Sequence, residues 1–155
     1  MQMEQAARRA AMERLSPLVG EWSMETSLAP PGSVRARTVF EWTLDGQFLV
    51  QRAEVDHPEV HDGLMVIAFE PETQAFVQHY FDARGVVRVY RMTFADRVWT
   101  LRRDTPDFTP LDFAQRFEGE LSDDGATIRG RWETSRDASR WEHDFELTYV
   151  KVAGG

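Results

Sequence analysis

The chain has 155 residues, with ten Phe, five Trp and a hydrophobic fraction of 42%, which is enough for one domain, residues 1–155, with a real apolar core and leaves little for a second. Eighteen Lys plus Arg against twenty-six Asp plus Glu give a formal charge of −8, which repels nucleic acid and anionic membrane surfaces and argues against partners of either kind. The absence of cysteine excludes disulfides, thiolate catalysis and thiolate metal sites.

The first element is a helix over about residues 3–15, where Ala, Glu, Gln, Arg, Met and Leu favour that conformation and Pro17 ends it. Ala7, Ala11 and Leu15 form a thin apolar stripe, so the helix either covers one end of the fold or frays. Charge interrupts the first ten residues where a signal peptide needs an apolar core. A cytoplasmic location is therefore expected, and no apolar run approaches the roughly 20 residues of a membrane-spanning helix.

From Gly20 the period changes to two, with Trp22, Met24, Thr26 and Leu28 on one face. Thr38, Phe40 and Trp42 share a face in the next segment, and Asp45-Gly46 then turns the chain into Phe48–Val55. Segments at 64–70, 73–81, 86–94 and 97–103 follow, separated by Asp-Gly or Arg-Gly turns and short polar stretches. Pro106 and Pro110 make 104–110 a rim loop, a lid or a plain connector. Three further segments, 112–121, 127–135 and 141–152, complete the train.

The pattern is all-β: a single antiparallel up-and-down β-barrel of about ten strands over residues 18–152, behind a short N-terminal helix. A single sheet with one apolar face has to bury that face, and closure does so without an exposed edge. A two-sheet sandwich is the alternative. Lys151 is the only lysine, so an outer wall laced by arginine and carboxylate is expected.

Several residues are candidates for an internal site. The last segment alternates most clearly, placing Trp141, His143, Phe145, Leu147 and Tyr149 on the presumed inner face. His143 there is a candidate proton carrier or iron ligand, or a buried structural histidine. Arg52 and Glu54 share parity with Phe48 and Val50, which makes them a possible inner pair for a ligand carboxylate or for acid–base work, or else rim residues. His79 is a candidate cavity base or a structural hydrogen-bonding group, on a strand with apolar groups on both faces. Arg88, Tyr90 and Met92 share one face; if it points inward, the phenol of Tyr90 donates to a ligand oxygen and Arg88 neutralises charge. Gln115 accompanies Phe113, Phe117 and Leu121 as a neutral hydrogen-bonding group. Trp22, Trp42, Trp99, Trp132 and Trp141 either line a hydrophobic pocket, with their indole N–H groups as donors, or pack the interior and the barrel ends. His57 and His61, in the run Asp56-His-Pro-Glu-Val-His-Asp62, offer nitrogen and carboxylate ligands to a metal but match no zinc spacing, and otherwise read as solvated loop residues. Gly119 and Gly130 fit close strand approach.

The stretches Leu18-Val-Gly-Glu-Trp22, Phe40–Val50, Gln78–Gly85, Ser122–Trp132 and Trp141–Phe145 resemble the bacterial family known as DUF1579. That resemblance implies a calycin-like barrel and carries no established substrate or catalytic residues. Gly20-Glu-Trp22 is also similar to the opening of lipocalin and fatty-acid-binding-like barrels, where the Trp seals one end. A more distant resemblance to nitrobindin-like haem barrels implies haem held by a histidine near the C-terminus, which points to His143, although their fuller glycine-rich opening is absent.

The leading functional reading is a barrel for a small hydrophobic molecule with a polar group. The alternatives are a cavity enzyme for proton transfer, isomerisation or cyclisation, with His143, Tyr90, Arg52 and Glu54 as its catalytic groups; a haem-binding barrel; and a structural or protein-interaction barrel that forms a homodimer.

Overall fold

The computed structural model describes residues 2–153. Helix α1 (Gln2–Glu13) and a short 3-10 turn at Ser16–Leu18 lead into ten strands: β1 (Gly20–Thr26), β2 (Arg35–Thr43), β3 (Phe48–Asp56), β4 (Gly63–Glu70), β5 (Ala75–Asp82), β6 (Val87–Ala95), β7 (Val98–Arg103), β8 (Ala114–Leu121), β9 (Thr127–Ser135) and β10 (Glu142–Lys151). Each strand pairs antiparallel with the next. β1 also pairs with β10, from Trp22↔Lys151 to Thr26↔Leu147, so the sheet closes. Closure rules out the sandwich and leaves the meander without a free edge. The architecture is a calycin-like β-barrel with a short N-terminal helix.

The two ends differ. At one end the chain leaves α1 and turns tightly between β2 and β3, β4 and β5, β6 and β7, and β8 and β9. Ala11, Met12, Leu15 and Leu18 are buried there, so the helix plugs this end. Ala7, expected on the buried stripe, is exposed; the apolar face forms only in the last turn and continues through the 3-10 turn. Met12, Leu15 and Leu18 are at most 1% exposed, and burial at that level contributes about 1.5–3 kcal/mol per side chain. Trp22, fully buried, donates its indole N–H to the Leu18 carbonyl at 2.9 Å, which ties the plug to β1. At the other end lie the longer β1–β2, β3–β4 and β7–β8 connections.

Aromatic rings run through the interior. Trp99 meets Phe40, Phe117 and Tyr149 at 5.8, 4.9 and 5.8 Å between centroids. Phe117 continues to Trp132 at 5.2 Å, and Trp132 to Tyr90 at 6.0 Å. Gly119 and Gly130 face each other across β8 and β9, and the ring of Phe117 occupies the space their side chains would fill. The outer wall is charged: Arg37 reaches Glu21 and Glu54, Arg52 pairs with Glu41, and Arg116 with Glu133. Exposed pairs of this kind are worth about 0–1 kcal/mol each.

Three strands settle facings that the sequence left open or read otherwise. In β3 the inward residues are Leu49, Gln51, Ala53 and Val55, so Arg52 and Glu54 lie on the outer wall with more than half of each side chain exposed. Paired polar groups on the inner face are the reason: Gln51 is buried because its amide donates to Thr38 Oγ1 at 3.1 Å, and Thr38 donates to the Arg52 carbonyl at 3.1 Å. In β5 it is Phe76, Gln78 and Tyr80 that face inward, which puts His79 outside, opposite Val66 and Val89.

The third strand is β10. Its register steps from His143↔Glu133 to Phe145↔Trp132, so Asp144 is an extra residue, a β-bulge. One extra residue reverses the parity of everything before it. Phe145, Leu147 and Tyr149 keep the inward face, while His143 is exposed on the outside. Trp141 also lies outside, with Arg116 4.2 Å and Arg102 5.2 Å from its ring centroid.

Candidate functional site

The open half of the barrel holds a cavity of about 540 Å³, within the roughly 300–1,000 Å³ of small-molecule sites. Trp99, Leu101, Trp132, Phe145, Leu147 and Met65 supply apolar wall. The mouth lies between the β1–β2 loop, with Leu28 and Pro30, and the β3–β4 loop, with His57, Val60 and His61. His57 Nδ1 accepts the Glu59 N–H at 3.1 Å, so that imidazole helps to shape its own loop.

Gln51, Gln78, Tyr80, Tyr90 and Tyr149 are among the polar side chains that line this space, with Glu25, Thr26, His57, Glu59 and His61. Tyr80 donates to Asp82 at 2.8 Å, and Arg84 covers the same carboxylate at 2.6 Å. Tyr90 donates to Gln115 Oε1 at 2.9 Å. Burial pushes all three phenols above their ordinary pKa, with Asp82 adding to the effect at Tyr80, while Arg88 opposes it at Tyr90 and a hydrogen bond with Gln51 opposes it at Tyr149. At neutral pH they are hydrogen-bonding hydroxyls and not bases.

Two atoms in the wall are unmatched. Gln78 Oε1 and Trp99 Nε1 are buried with no hydrogen-bond partner among the described residues, and both residues line the cavity. An orphaned buried polar atom costs about 1–3 kcal/mol, and native interiors pair nearly all of them.

The rim is rigid where the sequence left a choice between lid and connector. Arg103, only 3% exposed, pairs with Asp107 through Nε at 2.9 Å and Nη2 at 2.9 Å, and reaches the Thr109 carbonyl at 2.7 Å. Thr109 Oγ1 donates to the Val87 carbonyl at 2.7 Å, and Asp107 accepts the Val89 N–H at 2.8 Å. The 104–110 loop is thereby fastened to β6.

Among the sequence candidates, Tyr90 and Trp132 line the cavity, and Gln115 reaches it through the Tyr90 hydroxyl. Trp42 is partly buried against the core opposite Leu49, near the plugged end and away from the cavity. Arg52, Glu54, His79, Trp141 and His143 lie on the outer wall. A haem held through His143 does not fit, because that imidazole is exposed on the outside, on the same face as Glu133. Gln51, Gln78 and Tyr80 line the cavity without being candidates in the sequence, whereas Tyr149 keeps its expected inner face and Trp99 lines the cavity as one of the five tryptophans. A glutamine inside an otherwise apolar alternation, as at Gln51 and Gln78, is the signal that marks such positions.

The chain shares this fold with Rv2717c from M. tuberculosis. The two superpose with a TM-score of 0.60 over 92% of this chain and 97% of the other, at 14% sequence identity, and a likeness at that identity speaks to the fold alone. No family model and no curated protein matches the chain. None of the described helices is long and apolar enough to cross a membrane.

Proposed function

We propose that this chain is a single-domain barrel of the DUF1579 type, and that its cavity binds a small, mainly hydrophobic molecule bearing a polar group. The observation that carries this reading is the cavity of about 540 Å³, whose aromatic and aliphatic wall is set with a few polar side chains, Gln78 and Tyr90 among them. A ligand with an apolar body and a hydrogen-bonding group suits such a wall, the apolar part by leaving water and the polar part by bonding to the polar side chains that line it. The raised phenols support binding over proton transfer, since they offer no base at neutral pH.

Calorimetric titration with decan-1-ol tests the reading. Ala53 lines the cavity, so Ala53→Phe should abolish the binding heat while leaving the far-UV spectrum unchanged. Undiminished binding by that folded variant refutes the cavity as the site. A second reading, a homodimer, rests on the outer wall of β4–β6, where Leu64, Phe81 and Val87 adjoin in register and Leu64 and Phe81 are 39% and 37% exposed. Sedimentation velocity of Phe81→Glu against the parent chain tests it; a monomeric parent overturns it.

A further inference from the structure

The two sides of the cavity are built from different side chains. Among the described residues, every Phe, Tyr or Trp that lines it comes from β5–β7, β9 or β10: Tyr80, Tyr90, Trp99, Trp132, Phe145 and Tyr149. The side formed by β2–β4 contributes no such ring, and its lining residues include Ala36, Ala53, Gly63 and Met65. Register groups the smallest of these, with Ala53 opposite Gly63 and Ala36 one position from Ala53 across the β2–β3 pair. In the closed order of ten strands, β2–β4 lie across the interior from β7–β9. A bank of rings therefore looks onto a bank of small side chains.

The rings are held in one arrangement. Tyr80, Tyr90, Trp132 and Phe145 follow one another with centroids 6.4, 6.0 and 6.5 Å apart, and Trp99 meets Tyr149 at 5.8 Å. Phe117, which does not itself line the cavity, backs Trp99 at 4.9 Å and Trp132 at 5.2 Å from its place over Gly119 and Gly130. The hydroxyls of Tyr80 and Tyr90 donate to Asp82 and Gln115. With those protons committed to the protein, what the two phenols present to the cavity is ring surface. A wall fixed in advance loses little freedom when a ligand settles on it.

Charge sorts by depth. Neither arginine nor lysine lines the cavity among the described residues, and Glu25, His57, Glu59 and His61 belong to the end of β1 and the β3–β4 loop at the mouth. Deeper in, the polar groups are the amides of Gln51 and Gln78 and the three phenols, and an ion buried among such groups has no counter-charge. Arg88 does not supply one to an anion, since it does not line the cavity and its side chain bonds Tyr90. Its positive charge behind that ring also works against a cation stacked on the rings.

We propose that the ligand is an uncharged fused-ring aromatic compound bearing a hydroxyl or carbonyl group. This rests on the cavity reading above and names the ligand class. A flat ring system makes stacked and edge-to-face contacts with the fixed rings, which are favourable beyond the area they bury, while the small side chains opposite leave room for its other face. A flexible alkyl chain gains nothing from the ring quadrupoles and gives up internal freedom on binding.

The test titrates the full chain by calorimetry with 2-naphthol and with decahydro-2-naphthol, which share a carbon skeleton and a hydroxyl and differ in flatness and π-character, and uses decan-1-ol as the probe of the cavity itself. Each ring contact is worth about two- to ten-fold in affinity, so with two or more contacts the parent should prefer 2-naphthol over its saturated analogue by at least about ten-fold. Phe145→Leu keeps an apolar side chain and removes one ring, and should narrow that preference by at least about two-fold. At neutral pH, naphthalene-2-carboxylate and 2-naphthyltrimethylammonium should both bind more weakly than 2-naphthol. Equal affinity for the two naphthols, with decan-1-ol bound, overturns the proposal and leaves the cavity reading standing. Tighter binding of either ion than of 2-naphthol does the same, as does a preference that Phe145→Leu leaves unaltered. Binding of no probe overturns both. The comparison of probes on the parent needs no variant, so it decides the matter even if Phe145→Leu does not fold.

Discussion

Gly130→Ala is the sharpest test of how the barrel interior is built. A Cβ at this position would stand 2.5 Å from Phe117 Cζ and 3.0 Å from the Leu147 carbonyl oxygen, against about 3.5–4.0 Å for an ordinary carbon contact. The ring would have to withdraw by about 1 Å, but Trp99 and Trp132 hold it with centroids at 4.9 and 5.2 Å. Overpacking of a filled core costs about 1–3 kcal/mol, and each kcal/mol lowers Tm by about 2–4 °C at this chain length. Thermal unfolding followed by circular dichroism should therefore show a fall of roughly 2–12 °C. Gly119→Ala, whose Cβ would meet Phe117 and Ile128 at 2.9 Å, should cost less. In a Phe117→Leu background the Gly130→Ala penalty should shrink by more than half, because the obstructing ring is gone. An identical penalty in both backgrounds would show that the ring is not what glycine accommodates.

Asp107→Ala leaves Arg103 buried and unpaired and should cost about 3–5 kcal/mol in urea unfolding; Arg103→Met in the same chain should recover much of that loss, and an additive double variant refutes the pairing. Asp107 is held below the ordinary carboxylate pKa by hydrogen bonds from Arg103, against burial, with further bonds from Thr109 and Val89. Its folded pKa is depressed, so its contribution is fully present above about pH 4 and is lost as pH falls below that. The difference in urea midpoint between parent and Asp107→Ala should accordingly narrow from pH 6 to pH 2.5. Because burial raises all three tyrosines, absorbance at 295 nm should show no phenolate step near pH 10, the ordinary value, until the chain unfolds; a reversible step there in the folded protein contradicts their burial. His143→Ala, on the outer wall, should change stability by less than about 0.5 kcal/mol and leave decan-1-ol affinity intact, and a tenfold loss of affinity would return His143 to the site.

Turn chemistry and period-two alternation determined the meander from the sequence alone: each segment from Gly20 onward became a strand, and a single sheet with one greasy face has to close. The resemblance carried by Gly20-Glu-Trp22 placed a tryptophan at one barrel end, where Trp22 now sits. Facing was legible wherever one parity was plainly apolar, as at Trp22 and Met24. Where both parities were mixed it was not. Gln51 and Thr38 satisfy each other inside β2 and β3, so polarity there marks the interior and Arg52 the exterior. Asp144 shows the limit most clearly: Trp141, His143 and Phe145 alternate without a flaw, yet pairing with β9 inserts one residue and turns the first two outward. Alternation is a local property of one strand, whereas the inner face is defined by hydrogen-bonded register between strands.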